Sequence, residues 1–148
     1  MQAVILDTGP IVGLLSDDDE HHAASVAAIG ASGRKGRKLC TTWEVVSEAY
    51  MLFRMRIAPA RSADAALVVL RWAKESGIEL LPTDESDHQR AAGILQRYRQ
   101  LRLSYVDALL LGLAERHRIE ELITVDMRHF GAVKLAHRMT DPGMKVRT

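Results

Sequence analysis

The sequence is poor in several things that would point to a function class. There is one cysteine, Cys40, in 148 residues. An internal disulfide and a multi-cysteine zinc site are therefore both excluded. Aromatic residues are only 5% of the chain. Long apolar runs are missing: the longest, Ala65 to Leu70 and Ala108 to Leu113, fall far short of the ~20 residues that span a bilayer, so no membrane association is expected. The opening Met-Gln-Ala-Val-Ile-Leu-Asp has no basic stretch followed by a long apolar one, and with no secretory signal expected, the default location is the cytoplasm. Net charge is also scarce. Twenty Lys and Arg offset nineteen Asp and Glu to leave +1, which says little about nucleic-acid or membrane partners. No His-Glu-x-x-His pattern and no phosphate loop ending in Gly-Lys-Ser/Thr is present.

What remains is an ordinary globular composition, 47% hydrophobic and 26% charged. The length suits one domain over residues 1–148. The pattern alternates short apolar β-rich runs with helical stretches. Strands are predicted at Ala3–Leu6, Leu39–Thr41, Ile78–Leu81 and Leu122–Val125, with a further one at Val133–Leu135. A short helical piece at Ile11–Leu15 follows Pro10, which suits a first helical turn. Helices are predicted at His21–Ile29, Trp43–Met55, Ala60–Ser76 (with Gly77 as its cap), Asp84–Leu101 and Ser104–His117, while Gly30–Lys38 reads as a loop. Ser104 and Asp107 have the spacing of a capping box. Such alternation implies βαβ crossovers. The fold class is α/β, a three-layer α/β/α sandwich around a central, mainly parallel sheet.

Four acids occupy positions where apolar residues would be expected. Asp7 follows Ala-Val-Ile-Leu and Asp126 follows Leu-Ile-Thr-Val. Both sit at the carboxyl ends of strands, the edge where open α/β sheets bind ligands. Glu48 shares a helix face with Val45 and Leu52, and Asp107 with Leu103, Leu110 and Leu111. A buried carboxylate without a partner tends to become neutral. A hard dication removes that problem, and Mg²⁺ is typically held by carboxylates together with substrate phosphate oxygens. Taken singly, Asp7 and Asp126 also read as helix N-caps, Glu48 as a solvated or half-buried helix residue and Asp107 as a first-turn dipole partner.

These residues carry a resemblance. Leu6-Asp7-Thr8-Gly9-Pro10, Glu48 after Thr41-Thr42-Trp43, Leu103-Ser104-Tyr105-Val106-Asp107-Ala108-Leu109 and Ile123-Thr124-Val125-Asp126-Met127-Arg128-His129-Phe130 resemble the four motifs of PIN-domain nucleases, in the same order. The small size is similar to the VapC-type toxins of type II toxin–antitoxin pairs. The resemblance implies a PIN-like fold and endonucleolytic cleavage of RNA with Mg²⁺ or Mn²⁺. It assigns Asp7, Glu48, Asp107 and Asp126 to metal binding and catalysis, with Thr8 and Thr124 as supporting hydroxyls. Arg102 and Arg128 stand near these motifs as possible RNA contacts. An antitoxin protein and a second copy of the chain are the expected partners. One departure is Gly9-Pro10 after Thr8, where many relatives carry a bulkier residue.

Weaker signals have plainer readings. Asp17-Asp18-Asp19-Glu20-His21-His22 looks like a metal cluster, but consecutive side chains diverge; it reads as a solvated corner with Asp18 or Asp19 as N-cap. The basic loop Gly33–Lys38 could touch phosphate or simply be solvated. His88, His117 and His137 show no ligand spacing, and Cys40 reads as a small buried residue. Ala65–Trp72 is more apolar than one buried face requires, so it is either an interface or a well-covered core helix. A haloacid-type phosphatase would need a second Asp two residues after Asp7, where Gly9 stands. A PIN-like module that binds RNA or protein without cutting is the remaining alternative.

Overall fold

The computed structural model describes residues 2–56, 59–125 and 145–147. Five parallel strands, β1 (Ala3–Leu6), β2 (Lys38–Thr41), β3 (Glu79–Leu80), β4 (Glu121–Ile123) and β5 (Lys145–Arg147), form one sheet in the order β3-β2-β1-β4-β5. The helices are α1 (Thr8–Leu15), α2 (His22–Arg34), α3 (Trp43–Arg56), α4 (Pro59–Glu75), α5 (Glu85–Arg97) and α6 (Tyr105–His117). The chain moves outward from β1 to β2 to β3, then returns across the sheet to place β4 on the other side of β1. Strand order therefore reverses between β1 and β4, and the crevice beyond their carboxyl ends is the expected ligand position. The α/β/α class is the one predicted. None of the described helices is long and apolar enough to cross a membrane.

The central strands are apolar because both faces are covered. Val4, Ile5 and Leu6 are fully buried, as are Leu122 and Ile123. In α6, Ala108 through Leu111, together with Leu113 and Ala114, are also buried, so the middle of that helix is apolar on all sides. Its start is fixed by the predicted capping box: Ser104 Oγ accepts from the Asp107 amide and Asp107 Oδ2 accepts from the Ser104 amide, both at 3.0 Å. A second capping box, Asp84 with Asp87, starts α5. There Asp87, 1% exposed, also accepts two hydrogen bonds from Arg116 of α6, at 2.7 and 3.0 Å. That ion pair ties α5 to α6.

Several boundaries differ from the sequence reading. Helix α2 runs on to Arg34, through Gly30 and Gly33, where a loop was predicted. Tertiary packing overrides glycine's weak propensity here: Ser25 and Ser32 of α2 are buried, and α2 lies so close to α1 that a Cβ on Gly13 would stand 2.4 Å from Ser25 Oγ. The long helix predicted to Leu101 ends at Arg97 and gives way to a 3₁₀ turn at Arg99–Leu101. Strand β4 starts at Glu121, one residue early, because its register pairs Val4 with Glu121; the Glu121 carboxylate is buried by pairing with Arg37. The predicted strand Val133–Leu135 lies outside the described residues, and β5 was not foreseen.

The Asp87–Arg116 pair gives a test of how α5 and α6 are joined. Removing the cation leaves a buried carboxylate without its main partner. Arg116→Ala is expected to destabilise the protein by about 3 kcal/mol, read as a lower urea midpoint with an unchanged slope; a midpoint equal to wild type would show that the pair is dispensable.

Candidate active site

The site forms where β1 and β4 end side by side. The Asp7 amide donates to the Ile123 carbonyl at 3.0 Å, which carries the β1–β4 ladder one residue past the strand. Asp7 is then the N-cap of α1, and its carboxyl is only 6% exposed. Thr124, fully buried at the end of β4, donates its hydroxyl to Asp7 Oδ2 at 2.8 Å. Thr41, at the end of β2, donates to the Leu6 carbonyl at 2.9 Å. Two neighbouring strands thus fix the backbone and the side chain at this corner.

Two more acids act on Asp7. Helix α3 is started by Thr42, whose hydroxyl accepts from the Val45 amide at 3.1 Å; with Val45 and Ala49 buried, Glu48 lies half-buried beside that apolar face. Asp107 is half-buried on the first turn of α6. Burial is the largest influence on Asp7, followed by the negative charge of Asp107, with Glu48 adding to it. The Thr124 hydroxyl and the Thr8 amide act the other way. The balance pushes the Asp7 carboxyl up to about 7. A buried carboxyl raised by neighbouring carboxylates in this way marks a place built to receive positive charge.

The sequence-predicted residues divide clearly. Asp7, Glu48, Asp107 and Thr124 are brought to one corner. Thr8 is there too, and its hydroxyl is buried without a hydrogen-bond partner among the described residues. Asp126 and Arg128 lie outside the described residues. Arg102 is exposed at the turn before α6, in a left-handed backbone conformation. The basic loop sits elsewhere: it leads into the start of β2, and Arg37 is committed to Glu121 at the start of β4, at the opposite edge of the sheet. The acidic corner is structural, since Asp19 accepts from the His21 amide at 2.8 Å and pairs with Arg56 at 3.0 Å, while His22 Nδ1 bonds the Gly13 carbonyl at 2.7 Å. His21 is the residue at the N-cap of α2, in place of the expected Asp18 or Asp19. Cys40 is buried, and burial together with Glu79 pushes its thiol up to about 11, so it is no nucleophile. The Thr41 contact was missed because it joins residues far apart in sequence.

The donor set suits a hard dication: carboxylates, with an orphaned buried hydroxyl beside them and an all-oxygen chemistry. Among the described residues no three acids, histidines or cysteines stand close enough to cage an ion by themselves. A cleft of about 570 Å³ opens between Gly9, Leu52, Val125 and the segment Asp18 to His21, beside the site's acids but not lined by them. A Cβ on Gly9 would stand 2.5 Å from Val125 Cγ2, so any larger residue there would displace the Val125 side chain.

Residues 4–134 match the family model described as PIN domain. The chain belongs to the PIN-domain family. It is 30% identical over 131 residues to Ribonuclease VapC26 of Mycobacterium tuberculosis, covering 88% of this chain and 92% of that protein. Among solved structures it is similar to VapC20 of Mycobacterium tuberculosis, described as a sarcin-ricin loop cleaving toxin, with a TM-score of 0.78 at 16% identity over 90% of this chain and 97% of that one. It is also similar to a DNA-bound VapBC from Salmonella typhimurium, with a TM-score of 0.63 at 19% identity over 99% of this chain and 98% of that one. These structures establish the PIN fold. PIN-domain VapC nucleases are generally dependent on a divalent metal.

The raised Asp7 carboxyl has a consequence for stability. In metal-free protein the folded state keeps a proton on Asp7 that the unfolded chain releases near pH 3.8. Between that pH and about 7 the folded state binds more protons, so stability falls as pH rises through this window. The melting temperature in chelator is therefore expected to be higher at about pH 5 than at about pH 8, with a shallower fall in Asp7→Asn. Asp107→Asn, which removes the repelling charge, is expected to melt above wild type at about pH 8. Identical pH profiles for wild type and Asp7→Asn would contradict the arrangement.

Proposed function

We propose that this chain is a divalent-metal-dependent endoribonuclease and the toxin of a type II toxin–antitoxin pair. The observation that carries the reading is the buried Asp7 carboxyl at the β1–β4 crevice, pushed up by the charges of Asp107 and Glu48. Support comes from 30% identity to a ribonuclease over 88% of the chain. In this reading Asp7, Glu48, Asp107 and Asp126 hold Mg²⁺ or Mn²⁺. When bound, the metal supplies Lewis-acid stabilisation of charge developing on the phosphodiester and activates the attacking water.

The protein's own groups set the geometry. The Thr124 hydroxyl and the Thr8 amide both donate to the Asp7 carboxyl and hold it in place. The Ser104 amide holds Oδ2 of Asp107 in the same way. Thr8 offers a buried hydroxyl to the same corner. Arg102 and Arg128 serve as phosphate contacts, which steer the strand without reading its sequence. RNA is the substrate and a cognate antitoxin the protein partner, and the site of action is the cytoplasm. A second copy of the chain is proposed as a further partner: Trp43, Met51, Met55, Leu67 and Val68 leave apolar surface of the α3–α4 pair exposed, more than an isolated chain needs.

The test is direct. Pure protein incubated with total cellular RNA in Mg²⁺ or Mn²⁺ is expected to give discrete fragments. Cleavage should vanish in EDTA and fall by about two orders of magnitude or more in Asp7→Asn and Asp107→Asn. RNA binding without any cleavage under all metal conditions would instead favour the non-cutting module.

A further inference from the structure

Next to the acids lies a group of side chains that the metal chemistry does not use. Glu44 stands one turn before Glu48 on α3, on the same face. Its Oε2 accepts from the Thr83 hydroxyl at 2.8 Å and lies 3.9 Å from His88 Nε2. His88, on α5, bonds through Nδ1 to the Tyr105 hydroxyl. The His88 and Tyr105 rings are parallel to within 3°, with centroids 5.7 Å apart. A carboxylate facing Nε2 favours the tautomer with its proton there, so Nδ1 accepts from the tyrosine. Tyr105 is thus held at its polar end by a Thr83–Glu44–His88 chain, yet it remains 44% exposed. It is the first residue of α6, two before Asp107.

An exposed aromatic ring on a tethered side chain is a stacking surface that has already lost its rotational freedom. Single-stranded RNA is gripped by such surfaces, because every base has a face to stack. Here the surroundings narrow the choice. The carboxylates of Glu44 and Glu85 both act on Tyr105, so the ring is bordered by negative charge. That disfavours phosphate at the ring itself. It also offers acceptors to the exocyclic amino group of a stacked base.

Resting on the endoribonuclease reading, we propose that Tyr105 is a specificity-determining residue: an unpaired base beside the scissile phosphate stacks on its ring, and an amino-bearing base (adenine, cytosine or guanine) is preferred there over uracil. His88 and Glu44 act through Tyr105 as positioning residues.

The experiment uses the full chain, Tyr105→Ala and Tyr105→Phe, with a pool of random single-stranded oligoribonucleotides in Mn²⁺ and sequencing of the cut ends. Tyr105→Ala is expected to raise KM about tenfold with little change in kcat, and to flatten base composition at one position beside the cut. Tyr105→Phe, which keeps the ring, is expected to keep that preference. Cleavage by Tyr105→Ala with wild-type KM and wild-type base preference overturns the platform and leaves the nuclease reading intact. Should wild type cut nothing, binding of the same pool in chelator decides by fluorescence anisotropy. Weaker binding by Tyr105→Ala alone supports the platform without the nuclease, whereas equal binding, or none by any form, overturns it.

Discussion

A carboxyl group placed out of water at the point where β1 and β4 part is the constraint around which this protein is arranged. Asp7 is surrounded by apolar strand residues and faces two further acids. Left alone, that corner opposes folding. The apolar centre of the sheet and the buried middle of α6 offset the opposition, and they also hold the acids where they are. Each fixing contact is short and local to the corner: Thr124 on the Asp7 carboxyl, Thr41 on the Leu6 carbonyl and the Ser104 amide on Asp107. The capping box of α6 therefore has two roles. It starts the helix, and it aims the carboxylate that most strongly perturbs Asp7.

The near-zero net charge conceals an uneven distribution. The carboxyl edge of the sheet gathers Asp7, Glu48 and Asp107. At the other edge Arg37 neutralises a buried Glu121, so the conspicuous basic loop has part of its charge spent on the fold. A surface of this kind does not attract RNA by bulk electrostatics. Recognition has to come from the metal, from individual arginines and from stacking, which is why an exposed, tethered tyrosine at the rim of the site matters.

What was readable in the sequence was what is local. Asp7 directly after an apolar strand, the Ser104–Asp107 spacing and the strand–helix alternation are all short-range patterns, and among the described residues each appears in the structure where it was read. The long-range features left no such trace. Nothing near Gly30 and Gly33 announces that α2 continues, because the cause is its packing on α1 through Gly13. The start of β4 at Glu121 depends on Arg37, 84 residues earlier. His88 and Tyr105 sit on different helices 17 residues apart, a separation with no periodic meaning. The acidic run Asp17–His22 is the corner it was read as, because adjacent side chains are close in sequence but do not converge.

The contact between Gly9 and Val125 ties together two segments of the chain that evolution would otherwise be free to vary separately. The missing side chain at 9 and the branched one at 125 fill a single volume. A larger residue at 9 would press on the Val125 side chain and force it to shift or shrink, so the two positions share one space. Because 9 follows Asp7 and Thr8, and 125 follows Thr124, each trade is made within reach of the acids. Shape beside the site can drift by swapping bulk across the crevice, while the carboxylates themselves stay still.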